Sequence, residues 1–312
     1  MGAPEFFQAR VLVTGGAGFI GSHLTDALVE SGAKVTVLDN LATGNLKNLA
    51  GVKSQIDFIE GDIRDLAVCQ RAAAAASYVF HQAAIGSVPR SLKDPALSLS
   101  VNVGGTANVF TAARDAGVKR VVYASSSSVY GDNKDLPKRE GNEGLSLSPY
   151  ATSKKINEEL ADIYSRCYGM QFVGLRYFNV YGPRQDPAGP YAAVIPRFFA
   201  AYARGEAPVI FGDGEQSRDF TFVKDVVMAN LLAAKGPDNS CGAFNIGAGG
   251  RITINDLARA IAESVGSRVP VVHQQDRPGD VKHSMADASR AEKAFGFRAS
   301  TALHEGIAQT KR

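Results

Sequence analysis

Tyr150 and Lys154 stand four residues apart in Ser148-Pro149-Tyr150-Ala151-Thr152-Ser153-Lys154, and four serines, Ser125 to Ser128, lie about one helix length upstream. In a helix, residues four apart share a face, one turn from each other. A tyrosine of ordinary pKa near 10 is ionised to only about one part in a thousand at neutral pH. A neighbouring ammonium favours the phenolate, and a cationic hydride-accepting ring beside it does the same. Lowering the pKa by about three units takes roughly 4 kcal/mol, within reach of two close charges in a sheltered cleft. The product is a general base for a hydroxyl whose carbon gives up a hydride. Alone, Tyr-x-x-x-Lys is common, usually a half-buried aromatic beside a solvated lysine. Assigning the chemistry to Ser126, Tyr150 and Lys154 therefore requires a place for the hydride acceptor.

That place is written in Val11-Leu12-Val13-Thr14 followed by Gly15-Gly16-Ala17-Gly18-Phe19-Ile20-Gly21. An apolar β-branched run stops at a glycine cluster, and a helical pattern with Leu24, Leu28 and Val29 follows. Gly15 makes the tight turn, Gly18 lets backbone approach a pyrophosphate, and Gly21 lets helix pack close on strand. Backbone N–H groups at the helix start, around Phe19 and Ile20, then favour phosphate charge. A second strand, Val35-Thr36-Val37-Leu38, ends at Asp39-Asn40. An acid about 20 residues after the glycines suits the hydroxyls of an adenosine ribose, and Asp39 would repel a 2′-phosphate, so NAD is expected. A third strand ends in Gly61-Asp62. A fourth runs into Gln82, Ala83 and Ala84, whose small alanines leave ligand space at the carboxyl end of the sheet.

The rest of the chain must position these groups. Its 312 residues, 45% hydrophobic and 21% charged, are those of an ordinary globular protein. A net charge of +3 with no basic run argues against nucleic acid as a partner. No apolar run reaches the ~18 residues of a membrane span, and no signal peptide is apparent. Three scattered cysteines, Cys69, Cys167 and Cys241, suggest reduced thiols, a cytoplasmic location and no metal site. The first eight residues precede the first strand, and part of them reads as a cloning remnant. Helical patterns at residues 66–76, 97–116 and 149–168 alternate with strands at 120–125 and 172–176, which predicts a parallel, doubly wound α/β sheet. Beyond Phe178, Gly-Pro and Pro breaks introduce shorter elements at 208–211, 223–234, 243–246, 254–265 and 286–294. The expected organisation is a dinucleotide-binding unit over 1–178 and a smaller lobe over 179–312, with some chain crossing back.

Together these stretches, with His81-Gln82-Ala83-Ala84 and Leu175-Arg176-Tyr177-Phe178-Asn179, resemble an extended short-chain dehydrogenase/reductase over nearly the whole length. Within that family the chain is similar to nucleotide-sugar 4-epimerases of the UDP-galactose and UDP-N-acetylglucosamine type. The resemblance implies tightly held NAD, with Asp62 and Ile63 flanking the adenine and Tyr177 near the nicotinamide. It implies that Ser126 hydrogen-bonds the reacting hydroxyl while Tyr150 removes its proton, giving a 4-keto sugar that is reduced again from its other face. Related 4,6-dehydratases carry an Asp-Glu pair where Ser127 and Ser128 stand here, and serines cannot do carboxylate chemistry.

The resemblance also implies the substrate contacts. Arg218 and Arg277 match two diphosphate-binding arginines, and arginine's planar fork suits phosphate oxygens. Asn179 would bind the diphosphate or sugar. The stretches around Ser87, Arg90, Gln185 and Ser284 look most like those of enzymes acting on N-acetylated UDP-hexosamines. Relatives restricted to glucose and galactose carry a bulky tyrosine at the position of Ser284, and a serine leaves room for an acetamido group. UDP-GlcNAc/UDP-GalNAc interconversion is therefore expected, with the non-acetylated pair as a further substrate. A UDP-glucuronate 4-epimerase, with Arg90 facing the carboxylate, and a UDP-sugar oxidoreductase or decarboxylase are the alternatives. An NAD-sensing regulatory protein is a third, though such proteins commonly lose the Tyr or Lys. A homodimer built on helices 97–116 and 149–168 is expected by the same resemblance.

Overall fold

A computed structural model describes residues 5–188, 192–275 and 282–311. Runs such as Val11-Leu12-Val13 are buried on both sides, as a parallel sheet covered by helices on both faces requires. The strands β1 (Arg10–Thr14), β2 (Lys34–Asp39), β3 (Ile56–Glu60), β4 (Tyr78–His81), β5 (Arg120–Ser126) and β6 (Gln171–Tyr177) join a late strand, Gly242–Ile246. All pairings are parallel, in the order Gly242–Ile246, β6, β5, β4, β1, β2, β3. The strand order reverses between β1 and β4, where Val11 lies opposite both Val35 and Tyr78. A crevice opens at the carboxyl ends of strands at such a switch point.

The helices on the near side of the chain are α1 (Phe19–Glu30), α2 (Leu66–Ala73), α3 (Val88–Lys93), α4 (Pro95–Leu99), α5 (Thr106–Asp115) and α6 (Pro149–Tyr168). Alternate residues of β1 feed two cores. Val11 and Val13 pack with Leu24 and Leu28 of α1 and with Val226 and Leu231 of helix Val223–Lys235. Leu12 packs on the opposite face with Val109 and Phe110 of α5 and Phe172 of β6.

Two expectations are corrected. The pattern at 97–116 is not one regular helix: a π-helical turn, Ser100–Gly105, separates α4 from α5. Gly104 and Gly105 are weak helix formers, and a Cβ on Gly105 would stand 2.5 Å from Ile63, so the wider turn is tied to close packing. The strand at 243–246, read as part of the second lobe, is the edge strand of the main sheet beside β6. Its partner is about 70 residues away in the chain, beyond what a local pattern can carry. Helix Val223–Lys235 likewise returns to pack on α1, β5 and β6.

The smaller lobe has its own apolar centre, including Ile195, Phe198, Ile210, Leu257 and Ile261. It is built on helices Val194–Ala203 and Ile254–Val265 and on short pairs, Val209–Phe211 with Val272–Gln274 and Ser217–Arg218 with Ile252–Thr253. Among the described residues no helix is long and apolar enough to cross a membrane.

Candidate active site

The turn from β1 into α1 forms the floor of a cavity of about 790 Å³ that runs along the carboxyl ends of the sheet. Gly15 has φ +70°, and a Cβ there would lie 2.6 Å from the backbone nitrogen of Ala83. A Cβ on Gly21 would run into the Gly15 carbonyl. Gly18 differs: its nearest neighbour would be the Gly15 carbonyl at 3.1 Å, and its φ is an ordinary −75°. As the N-cap of α1, Gly18 offers no side chain to the first N–H groups of the helix, and the first turn carries no acid. Those N–H groups have no partner within the helix. With Gly15, Gly18, Phe19, Ile20 and Gly21 lining the cavity, this is a cradle for phosphate oxygens.

One end of the cavity is lined by Asp39, Asn40, Asp62 and Ile63. The Asp39 carboxylate accepts from the N–H of Ala17 at 2.9 Å and of Leu41 at 2.8 Å, so it ties the glycine turn to the loop after β2. Burial raises its pKa, against those two bonds. Asn40 donates to Asp62 at 2.8 Å. Arg64 holds the Asp62 carboxyl down at about 2. Acceptors placed at this end, and uncapped N–H groups at the turn, fit a dinucleotide's ribose and pyrophosphate.

At the other end stand Gln82, Ala83 and Ala84 after β4, Ser126 and Ser127 at the end of β5, and Tyr150, Lys154 and Tyr177. The sequence folds this way for local reasons. Ser148 caps α6, accepting from Ala151 N–H at 3.1 Å, and Pro149 occupies the first turn. Ser126 stays extended and accepts from Ser128 N–H at 3.1 Å, which opens a short 3₁₀ turn. Lys154 is 3% exposed, donates to the Ala124 carbonyl at 2.7 Å and lies 5.8 Å from the Tyr150 ring centre.

Burial pushes the Lys154 ammonium down to about 8, and Glu158 one turn further along α6 opposes that. Burial also raises the Tyr150 phenol, and its hydrogen bond with Ser126 opposes the rise. The direction is the reverse of the expected activation, because desolvation outweighs what the chain's own groups supply.

The substrate residues divide. Arg90, Ser127, Asn179 and Gln185 line this cavity, and Asn179 and Gln185 also line a second one of about 410 Å³ that contains Arg218 and Phe211. The two cavities therefore share part of their walls. Asn179 donates to the Asp219 carbonyl at 2.9 Å. The Asp219 carboxylate accepts from the N–H groups of Ala248, Gly249 and Ala286 at 3.0–3.1 Å, which fastens the lobe behind Arg218. Ser87 and Ser284 line neither cavity. Ser87 caps α3, accepting from Arg90 N–H at 3.2 Å, and Ser284 donates its N–H to Ser217 at 3.0 Å. Arg277 lies outside the described residues.

Sequence reasoning missed Asn102, Glu158 and Asn230. Asn102 is fully buried in the π turn; it accepts from Ile85 N–H at 2.8 Å and donates to Ser153 at 3.2 Å. It thereby ties the loop after β4 to α6. An asparagine just before Gly104-Gly105 inside an otherwise helical run was the available signal. Glu158 pairs with Arg176 at 2.7 Å and could have been found from its spacing, four residues after Lys154.

The family model described as NAD dependent epimerase/dehydratase matches residues 11–247. The UDP-glucose 4-epimerase of Mycolicibacterium smegmatis is 40% identical over 305 residues, covering 96% of this chain and 97% of that protein. Among solved structures, the UDP-N-acetylglucosamine 4-epimerase of Methanobrevibacter ruminantium, in complex with UDP-N-acetylmuramic acid, superposes with a TM-score of 0.94 at 41% identity over 97% of both chains. The Thermus thermophilus UDP-glucose 4-epimerase, in complex with NAD, gives 0.89 at 37% identity, covering 96% of this chain and 97% of that one.

Proposed function

The chain belongs to the NAD dependent epimerase/dehydratase family, and from that membership and its site we infer a UDP-sugar 4-epimerase whose preferred pair is UDP-GlcNAc and UDP-GalNAc. It is an enzyme of the epimerase type and NAD is its cofactor. The glycine turn and the start of α1 would hold the pyrophosphate, Asp39 the adenosine ribose, Asp62 and Ile63 the adenine, and Tyr177 the nicotinamide end. Bound there, NAD supplies the hydride acceptor and a positive charge beside the Tyr150 phenol.

One observation favours epimerisation over elimination. Among the described residues the only carboxylates lining the main cavity are Asp39 and Asp62, both at its ribose end. Proton transfer at the sugar then falls to hydroxyl groups, and of those lining this end, Ser125 to Ser128, Tyr150 and Tyr177, we assign it to Tyr150 with Ser126. Tyr150 takes the proton of the 4-hydroxyl and returns it, Ser126 holds the oxygen through the change, and Lys154 keeps positive charge behind the phenol. The second cavity, with Arg218 at its wall, suits the UDP portion, and Arg277 would complete the diphosphate contacts.

The acetamido preference rests on the likeness to the Methanobrevibacter enzyme, since Ser284, half-buried beside Ser217, lines neither cavity. A glucuronate substrate is the second reading, because Arg90 lines the cavity where a sugar carboxylate would need a cation. We also infer that two copies pair through the stretches 97–116 and 149–168, where Leu99 of α4 and Ile163 and Tyr168 of α6 are exposed.

Incubation with UDP-Glc, UDP-Gal, UDP-GlcNAc and UDP-GlcA, followed by chromatography, tests the function. UDP-GlcNAc should convert to its 4-epimer with no net NADH, and Tyr150→Phe should lower kcat by about 10²-fold or more. Conversion of UDP-GlcA alone would overturn the acetamido preference. Stoichiometric NADH release would overturn the epimerase.

A further inference from the structure

Helix Val223–Lys235 is apolar where it meets the sheet, yet it buries one asparagine, Asn230, completely. Asn230 Nδ2 donates to the Val226 carbonyl at 2.8 Å and to the Tyr177 hydroxyl at 2.9 Å. Its Oδ1 accepts from Gln82 Nε2 at 3.0 Å. The Tyr177 hydroxyl in turn donates to Gln82 Oε1 at 3.1 Å. Three side chains from three separate elements thus close a ring.

The ring has a direction, and a backbone atom sets it. A carbonyl only accepts, so Val226 requires the nitrogen end of Asn230 on its side. That choice places Asn230 Oδ1 toward Gln82, which must present Nε2 to it and Oε1 to Tyr177. The Tyr177 proton then has two acceptors in reach, Gln82 Oε1 at 3.1 Å and Asn230 Oδ1 at 3.2 Å, both within the ring. Burial raises the Tyr177 phenol further, beyond what these bonds offset. Gln82 and Tyr177 both line the cavity at the end where Tyr150 and Lys154 stand. The second N–H of the Gln82 amide has no acceptor among the described residues.

We propose that Asn230 is the positioning residue for the nicotinamide end of the cavity. Through the ring it keeps Tyr177 a fixed phenol and turns the remaining Gln82 N–H toward the bound dinucleotide. The cavity holds two tyrosines, and the ring explains the division of labour: Tyr177 cannot take up a proton role, so Tyr150 alone does. The proposal rests on the NAD-bound epimerase reading and deepens it.

The test is a double-mutant cycle of Asn230→Leu and Tyr177→Phe, read by NAD titration, by kcat and KM, and by the fraction of bound cofactor recovered as NADH after turnover. Each single variant should weaken NAD binding and lower kcat by about tenfold, leave KM for the UDP-sugar within about twofold, and raise the NADH fraction. The double variant should lose no more than the worse single one, because both break the same ring. A change confined to melting temperature, or losses that multiply, would overturn the proposal. If Asn230→Leu does not fold, Tyr177→Phe with Gln82→Leu runs the same cycle with the same criteria. A wild-type chain that binds NAD but converts no UDP-sugar would overturn the proposed function, while the NAD titration still decides the ring.

Discussion

Gly15 and Gly18 belong to one motif, but different partners demand them. At Gly15 the protein itself excludes a side chain, through a φ of +70° and the backbone of Ala83. At Gly18 the backbone is ordinary and a Cβ would press only on the Gly15 carbonyl, at 3.1 Å, so the intramolecular conflict is milder and a ligand against the helix start adds a second one. Gly18→Ala should therefore weaken NAD binding by roughly tenfold or more, about 1.4 kcal/mol, with a smaller loss of melting temperature than Gly15→Ala. Gly15→Ala should cost more than about 1 kcal/mol of stability even without ligand. Paired thermal melts and NAD titrations separate the two outcomes, and equal melting losses would refute the distinction. Lys154 makes a second residue-scale prediction. Its ammonium, held near 8 by burial, is present below that pH and lost above it, so kcat should fall on the alkaline side of about 8. The negative charge of Glu158 raises the Lys154 pKa, so Glu158→Gln should move the fall to lower pH. An unmoved pH–rate profile would show that Lys154 does not set that limb. The glycines, Asp39, Tyr150 and Lys154 were legible because each belongs to a local spacing with a physical rule behind it. Asn230 was not, because its partners come from other elements and no spacing announces them; Glu158 stands at a readable spacing from Lys154, but its pairing with Arg176 of β6 is written nowhere locally.

At the scale of elements, His81 joins three of them. It lies at the end of β4, fully buried, with Nδ1 2.6 Å from Thr14 of β1 and Nε2 2.9 Å from Thr106 at the start of α5. Burial, with Lys154 adding to it, pushes its pKa down from 6.5 to about 3. The unfolded chain therefore takes up a proton as pH falls below about 6.5, while the folded chain does not until near 3. Stability is then lost as pH falls through that window and is fully present above it. The loss attributable to His81 between pH 7 and pH 5 is about 2 kcal/mol. His81→Gln should flatten this part of the urea-midpoint profile, and an unchanged slope would show that other groups carry it. The strands β1 to β6 were readable as apolar runs ending at turns or small residues. The π turn was not, because a helical period continues through it and only Asn102 and the two glycines mark the change. The strand Gly242–Ile246 was visible as a short element but not as a partner of β6, since nothing local encodes a pairing with Val173–Tyr177.

For the whole molecule, the inferred pairing of two copies makes a direct prediction. Ile163, 45% exposed on α6, should become a charge within an apolar interface in Ile163→Asp. That variant should sediment as a monomer at concentrations where the wild type sediments as a dimer, and identical sedimentation would exclude this face. The seventh strand has a different consequence. The chain leaves the sheet after β6, builds part of the small lobe, returns to supply Gly242–Ile246, and departs again. A fragment ending at Phe178 would expose one whole side of β6, a row of unpaired N–H and C=O groups flanked by apolar residues that helix Val223–Lys235 normally covers. Bare edges of this kind recruit other chains. Cutting the chain at that point should therefore leave a sticky remnant, not a detachable cofactor-holding cassette.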